Sequence, residues 1–235
     1  MKNSFLQDST LVFDLDGTLV DTAPDLIRAL NHVLEHIDCP PADDTHIRPF
    51  ISFGARRMIV EGLSVAGMHK SDAEIDDLFN VFLEHYAANV AVDSVIFPNL
   101  VDVLENASSS GAKLAVCTNK REDLSLLLLK ALDLHHRFAT IVGRDTLDVC
   151  KPHPRHLTET IARAGGKEDR AVMIGDSPTD VNTAKAAKIP VVAVSFGYSE
   201  VPPKDLGADA LIDNYSELPY ALESLLRGRT NQGGA

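Results

Sequence analysis

Apolar residues in this chain follow two rhythms, and the change between them falls near residue 90. Leu11-Val12-Phe13 is an unbroken apolar run, the pattern of a strand buried on both faces. The pattern then turns helical. Leu26, Ile27, Leu30, Val33, Leu34 and Ile37 recur at helical spacing, behind a Thr22/Asp25 pair spaced like a capping box. Cys39-Pro40-Pro41 stops that helix. Helical patterns resume over residues 47–53 and 55–65. Ser71 with Glu74 makes a second capping box, opening a helix whose apolar side carries Ile75, Leu78, Phe79, Phe82, Leu83 and Tyr86. The span 21–90 therefore reads as helical throughout, with no strand.

Beyond it, short apolar runs alternate with helical stretches. Strands are predicted at 114–117, 140–142, 171–174 and 191–194, with an edge strand at 210–212. Helices are predicted at 122–132, 154–164, 178–188 and 216–227. This alternation implies a parallel sheet covered on both faces, and the first strand must join it to be buried. The expected architecture is α/β: a Rossmann-like core from residues 1–20 and 91–235, with an α-helical cap domain, residues 21–90, inserted after the first strand. The polar, Gly-rich tail 227–235 is expected to be mobile.

Composition narrows the partners. The chain of 235 residues carries a net charge of -12 and no concentrated basic block, which argues against nucleic acid or an anionic membrane as partner. A bound cation with a few lysines or arginines can still reverse the sign locally for an anionic substrate. Cys39, Cys117 and Cys150 are far apart and form neither a zinc spacing nor a disulfide framework. Residues 1–10 are mixed and polar, unlike a signal peptide, and no apolar stretch approaches a membrane span. A cytoplasmic location is the default expectation.

The candidate chemistry sits at predicted strand ends, where open α/β sheets bind ligands. Asp14-Leu15-Asp16-Gly17-Thr18 follows the first strand. On a regular strand Asp14 and Asp16 would share one face, a costly pairing unless a cation or proton relieves it. Gly17 permits a sharp turn. Thr118-Asn119 follows the strand at 114–117; it is a common turn pair, and also a source of hydroxyl and N–H donors for phosphate oxygens. Lys151 lies in a segment stiffened by Pro152 and Pro154, either solvated or held as a point charge for a phosphoryl group. In Gly175-Asp176-Ser177-Pro178-Thr179-Asp180, Asp176 ends a strand, while Ser177, Pro178 and Asp180 also suit a helix start.

In order, type and position, these signals resemble the four motifs of the haloacid dehalogenase superfamily of phosphotransferases. The resemblance spans essentially the whole chain, helical insertion included. It implies that Asp14 attacks phosphorus to give an aspartyl-phosphate, with Asp16 as acid and then base. It implies Mg2+ held by Asp14, the backbone carbonyl of Asp16, and Asp176. Thr118, Asn119 and Lys151 would hold phosphate oxygens, and Asp180 would orient a metal-bound water or Lys151. The second Asp favours phosphoryl transfer over dehalogenation. Phosphonate-cleaving relatives need a cap lysine, and Lys70, the only lysine between 21 and 90, lies in a polar connection.

Segments 13–22, 116–120 and 175–188, with Phe53-Gly54-Ala55 before a cap helix, are similar to the phosphoglycolate phosphatase-like subgroup. His153 departs from its usual Asp. The implied partner is a small phosphorylated metabolite, with 2-phosphoglycolate the leading substrate and a monomer or homodimer the expected state. Other sugar-phosphate or nucleotide phosphatases, and a sugar phosphomutase, share much of the pattern; a non-catalytic binder would not need all three aspartates. Arg56 or Arg57 is a candidate partner for a substrate carboxylate, or else part of a solvated helix face.

Overall fold

The structure, a computed structural model, describes residues 4–230. From β1 (Thr10–Phe13) the chain passes through β2 (Val20–Asp21) into α1 (Ala23–His36), the short α2 (Asp44–Ile47) and a 3-10 segment over Arg48–Phe53. It continues through α3 (Ala55–Val65) and α4 (Asp72–Ala88) and returns by β3 (Val95–Ile96). The rest alternates: α5 (Leu100–Ser109), β4 (Lys113–Cys117), α6 (Glu122–Ala131), β5 (Thr140–Val142), α7 (Pro154–Arg163), β6 (Ala171–Gly175), α8 (Pro178–Ala186), β7 (Val191–Val194), β8 (Ala210–Ile212) and α9 (Leu218–Thr230). Six strands form one parallel sheet in the order β5-β4-β1-β6-β7-β8.

Strand pleating explains the unbroken apolar runs. Leu11, Phe13, Leu114, Val116, Val172 and Ile174 face one hydrophobic cluster, completed by residues of α5, α6 and α9. Their neighbours Val12, Ala115, Cys117, Ala171 and Met173 face the other, under α7 and α8. Successive side chains point to opposite faces, and both faces are covered, so every position must be apolar. A third cluster belongs to the helical block. Leu30, Leu34, Met58, Ile59, Phe82 and Tyr86 pack α1, α3 and α4 together, and Leu124 of α6 and Tyr198 join it from the sheet side.

Four local features differ from the sequence reading. The two linkers of the helical block pair as a short antiparallel ribbon, β2 with β3, too brief for any alternation to register. Helix α5 also lies outside the sequence expectation. The Thr22/Asp25 capping box does not form: Thr22 Oγ1 donates to Asp16 Oδ1 at 2.7 Å instead. Asp25 is buried and turns to the second linker, accepting from Asp93 N (2.9 Å), Ser94 N (3.0 Å) and Ser94 Oγ (2.5 Å) and pairing with Arg28. Helix α9 runs past its last buried leucine, Leu226, to residue 230, so the start of the tail expected to be mobile is helical; residues 231–235 of that tail lie outside the described residues.

Asp25 thus clamps the second linker to the first helix. Burial alone would raise its pKa, but the Ser94 hydroxyl and the two backbone N–H groups hold it below the usual carboxylate value. Asp25→Asn turns an amide toward those donors and should cost on the order of 2 kcal/mol of stability. Urea denaturation of the two proteins at neutral pH measures it; an unchanged midpoint would refute the clamp.

Candidate active site

The carboxyl ends of β1, β4 and β6 lie side by side, and their loops build the site. Asp14 N donates to Ile174 O at 2.9 Å, prolonging the β1–β6 pairing by one residue, and Thr118 N donates to Val142 O at 3.0 Å. β1 ends at Phe13, so Asp14 and Asp16 sit beyond the regular strand and do not share a face as the strand pattern predicts. Each carboxylate instead meets its own lysine: Asp14 Oδ1 lies 2.8 Å from Lys151 Nζ, and Asp16 lies 3.0 Å from Lys120 Nζ. Gly17 adopts φ +79° where the loop turns; a Cβ there would stand 2.6 Å from Asp176 Oδ2.

Lys151 is the buried cation of the site. Its backbone is fixed by Asn119, whose Nδ2 donates to Lys151 O (2.9 Å) while Oδ1 accepts from Lys151 N (3.0 Å). Its ammonium donates to Asp180 Oδ1 at 2.6 Å. Asp180 Oδ2 accepts from Asp176 N, Ser177 N and Ser177 Oγ. Asp180 is therefore both a helix-start acid and the anchor of Lys151. Asp176 accepts from Thr18 Oγ1 (3.0 Å) and Tyr198 N (2.7 Å).

Carboxylate oxygens of Asp14, Asp176 and Asp180 lie within 4.8 Å of one another. One ammonium faces three carboxylates. Burial, then the Asp180 charge, drive Asp14 up to about 6 against the pull of Lys151. Burial, then Asp180 and Asp14, drive Asp176 well above the ordinary carboxylate value. Burial alone would lower Lys151, and Asp14 and Asp180 more than reverse it. Such a deficit of positive charge beside oxygen donors fits a divalent cation. Asp16 contributes no carboxylate to this cluster; its side chain is held by Thr22 and Lys120.

Asp14, Asp16, Thr118, Asn119 and Lys120 line a cavity of about 80 Å3 beneath the helical block. Its roof is apolar: Leu26, Ile51, Met58, Phe79, Phe82 and Tyr86. Among the sequence candidates, Arg56 and Arg57 are absent from this lining. Arg56 reaches outward to Asp72 and Asp76, and Arg57 to Glu61 and the Phe50 ring. Both sit on the solvated face of α3. His153 caps α7, its Nδ1 accepting from Arg155 N at 3.2 Å. Two residues that the sequence did not single out for a role take part: Lys120, described below, and Tyr198. The Tyr198 hydroxyl donates to Asp21 and accepts from Ala23 N at 3.0 Å. With its backbone N–H on Asp176, it ties the carboxylate cluster to the first linker.

With this geometry in view, residues 11–194 match the family model of the haloacid dehalogenase-like hydrolases. The chain belongs to that family. Curated relatives include the phosphoglycolate phosphatase of Mesorhizobium japonicum, 45% identical over 92% of this chain and 96% of its own. Another is the phosphoglycolate phosphatase of Caulobacter vibrioides, 42% identical over 94% and 93%. A crystal structure described as "a predicted phosphoglycolate phosphatase" from Haemophilus somnus superposes with a TM-score of 0.85 at 27% identity, covering 92% of this chain and 97% of that one. Among the described residues, no helix is long and apolar enough to cross a membrane.

Behind the site, Cys117 Sγ lies 3.4 Å from His156 Nδ1, and His156 Nε2 lies 3.0 Å from Gly143 O. Burial pushes the Cys117 thiol up to about 12, which leaves it protonated and unreactive at neutral pH. Burial pushes His156 down to about 4 from its ordinary 6.5. The unfolded chain therefore gains a proton at His156 before the folded one does. Its contribution is complete above about pH 6.5 and is lost as pH falls toward 4, by on the order of 3 kcal/mol. Thermal melting of the wild type should fall more steeply than that of His156→Gln between pH 6.5 and 4.5, by roughly 5–10 °C. Parallel curves would contradict the buried neutral imidazole.

Proposed function

We propose that this chain is a magnesium-dependent phosphatase that converts a small phosphomonoester, best 2-phosphoglycolate, to glycolate and phosphate through an aspartyl-phosphate on Asp14. It is a phosphoric monoester hydrolase. One observation carries the reading: three clustered carboxylates have a single ammonium among them, paired with Asp14 and Asp180 and not with Asp176, and Asp14 alone of the three also lines the cavity. Such a set calls for a cation and presents a single carboxylate to a ligand. Support for the substrate comes from the phosphoglycolate phosphatase relatives.

Asp14 Oδ attacks phosphorus in line as the ester P–O bond breaks, and Asp16 gives a proton to the departing oxygen. Asp16 then takes a proton from a water that attacks phosphorus and releases Asp14. Lys151, Thr118 and the backbone N–H of Asn119 hold the phosphoryl oxygens. The Asn119 amide and Asp180 keep Lys151 in register. Asp14, Asp176 and the Asp16 carbonyl would hold Mg2+, which would supply the neutralising charge for a carboxylate to approach a phosphate. Residues 1–20 and 91–235 act as the catalytic core, and residues 21–90 as a cap that excludes water. Because Asp25 clamps Asp93 and Ser94, the linker moves with the cap, and its hinge falls in the β2–β3 ribbon.

Phosphate release across a panel of phosphorylated metabolites, with Mg2+ and with chelator, tests this. Phosphoglycolate should lead the panel, chelation should abolish turnover and added Mg2+ should restore it. Asp14→Asn, which keeps the volume, should lower kcat by at least about 10⁴-fold. Turnover that survives that substitution would end the nucleophile assignment, and broad sugar-phosphate activity would end the substrate assignment alone.

A further inference from the structure

Lys120 has an unusual setting for a lysine. It follows Thr118-Asn119 in the loop after β4, and its side chain is only 6% exposed. Its ammonium sits 3.0 and 3.2 Å from the two Asp16 oxygens and 4.4 Å from the centroid of the Tyr86 ring on α4. Lys120, Asp16 and Tyr86 line the same cavity as Asp14. The Tyr86 hydroxyl is buried with its oxygen beside the Lys120 ammonium, and its own proton meets no acceptor, a costly state for a phenol. Both arginines of the cap helix α3 are turned outward, so that helix brings no guanidinium to the cavity.

Resting on the phosphatase reading above, we propose that Lys120 and Tyr86 form the subsite for the second anionic group of the substrate, a carboxylate borne by the leaving group. In a two-carbon acid the carboxylate lies one carbon beyond the departing oxygen. Asp16 protonates that oxygen, so the carboxylate falls next to Asp16, where Lys120 stands. An ammonium has three donors and can keep one on Asp16 while turning another to the ligand. The Tyr86 hydroxyl supplies a second donor, whose proton then meets an acceptor. The apolar roof would desolvate the pair and strengthen it. Two other cations border the cavity and are the rivals: Arg121, which is paired with Asp123, and Arg144, which is exposed.

The experiment compares kcat/KM for 2-phosphoglycolate and for ethyl phosphate, which lacks the carboxylate. The proteins are the wild type, Lys120→Met, Tyr86→Phe and Arg144→Met. Lys120→Met should cut the preference for phosphoglycolate by about 10- to 100-fold, chiefly through KM, and Tyr86→Phe by a smaller factor. Tyr86→Phe keeps the ring and guards against loss of the fold. Glycolate, as a competitor of ethyl phosphate turnover, should bind more weakly to both variants. If both substrates lose the same factor, Lys120 only holds Asp16 and the subsite is refuted. The subsite is equally refuted if Arg144→Met erases the preference and Lys120→Met does not. A wild type that hydrolyses neither compound overturns the substrate reading on which the subsite rests, and the metabolite panel with Mg2+ then decides the phosphatase reading separately.

Discussion

The structure turns on one buried ammonium. Lys151 Nζ bridges Asp14 and Asp180 at the junction of three loops that are remote in sequence. Each partner is separately fixed: Asp14 by its backbone bond to β6, Asp180 by the first turn of α8, and Lys151 by the Asn119 amide. A buried ion pair left with one member missing is strongly destabilising, so no one of the three can be changed alone without cost. Yet the group is not self-sufficient. Asp176, the third carboxylate, feels Asp180 and Asp14 as like charges and receives only a hydroxyl and one N–H in return. The protein gives up folding stability to hold an arrangement that a further cation would complete.

The sheet makes this arrangement possible. Residues 13, 117 and 175 end strands that pair in register, and the carboxyl ends of β1, β4 and β6 carry Asp14, Thr118 and Asp176 one residue further on. Because every strand residue is packed on one face or the other, the register cannot slip without exchanging both faces. That rigidity fixes the loops within hydrogen-bond tolerance of one another.

What could be read from the chain follows the range of the forces involved. The strands were legible because burial on both faces demands unbroken apolar runs, as at residues 171–174. The four acidic and basic segments were legible because strand ends position ligand-binding groups, and Asp14, Asp176, Asp180 and Lys151 do converge. Partnerships between distant polar residues were not. Thr22 and Asp25 have capping-box spacing, but both side chains find stronger partners, Asp16 in one case and the Asp93-Ser94 backbone in the other. Arg56 and Arg57 could be assigned to a helix start, yet the direction each takes depends on Asp72, Asp76 and Glu61, which only the packing of α3 and α4 brings near. Lys120 looks like any loop lysine until Tyr86 closes over it.

The helical block and the site are joined through atoms that both require. Thr22, the residue before α1, donates to Asp16, and Tyr198 joins Asp176 by its backbone to Asp21 and Ala23 by its hydroxyl. Lys120 completes a third link, from Asp16 to Tyr86 on α4. Any movement of the block would therefore disturb the Asp16 side chain, since two of its hydrogen-bond donors lie at or against the block. A cap joined to its core by apolar packing alone would slide freely over the site. In the proposed mechanism, one joined through the side chain of Asp16 would couple the exclusion of water to the orientation of the group that handles the proton, and the acid would be set only with the cavity shut.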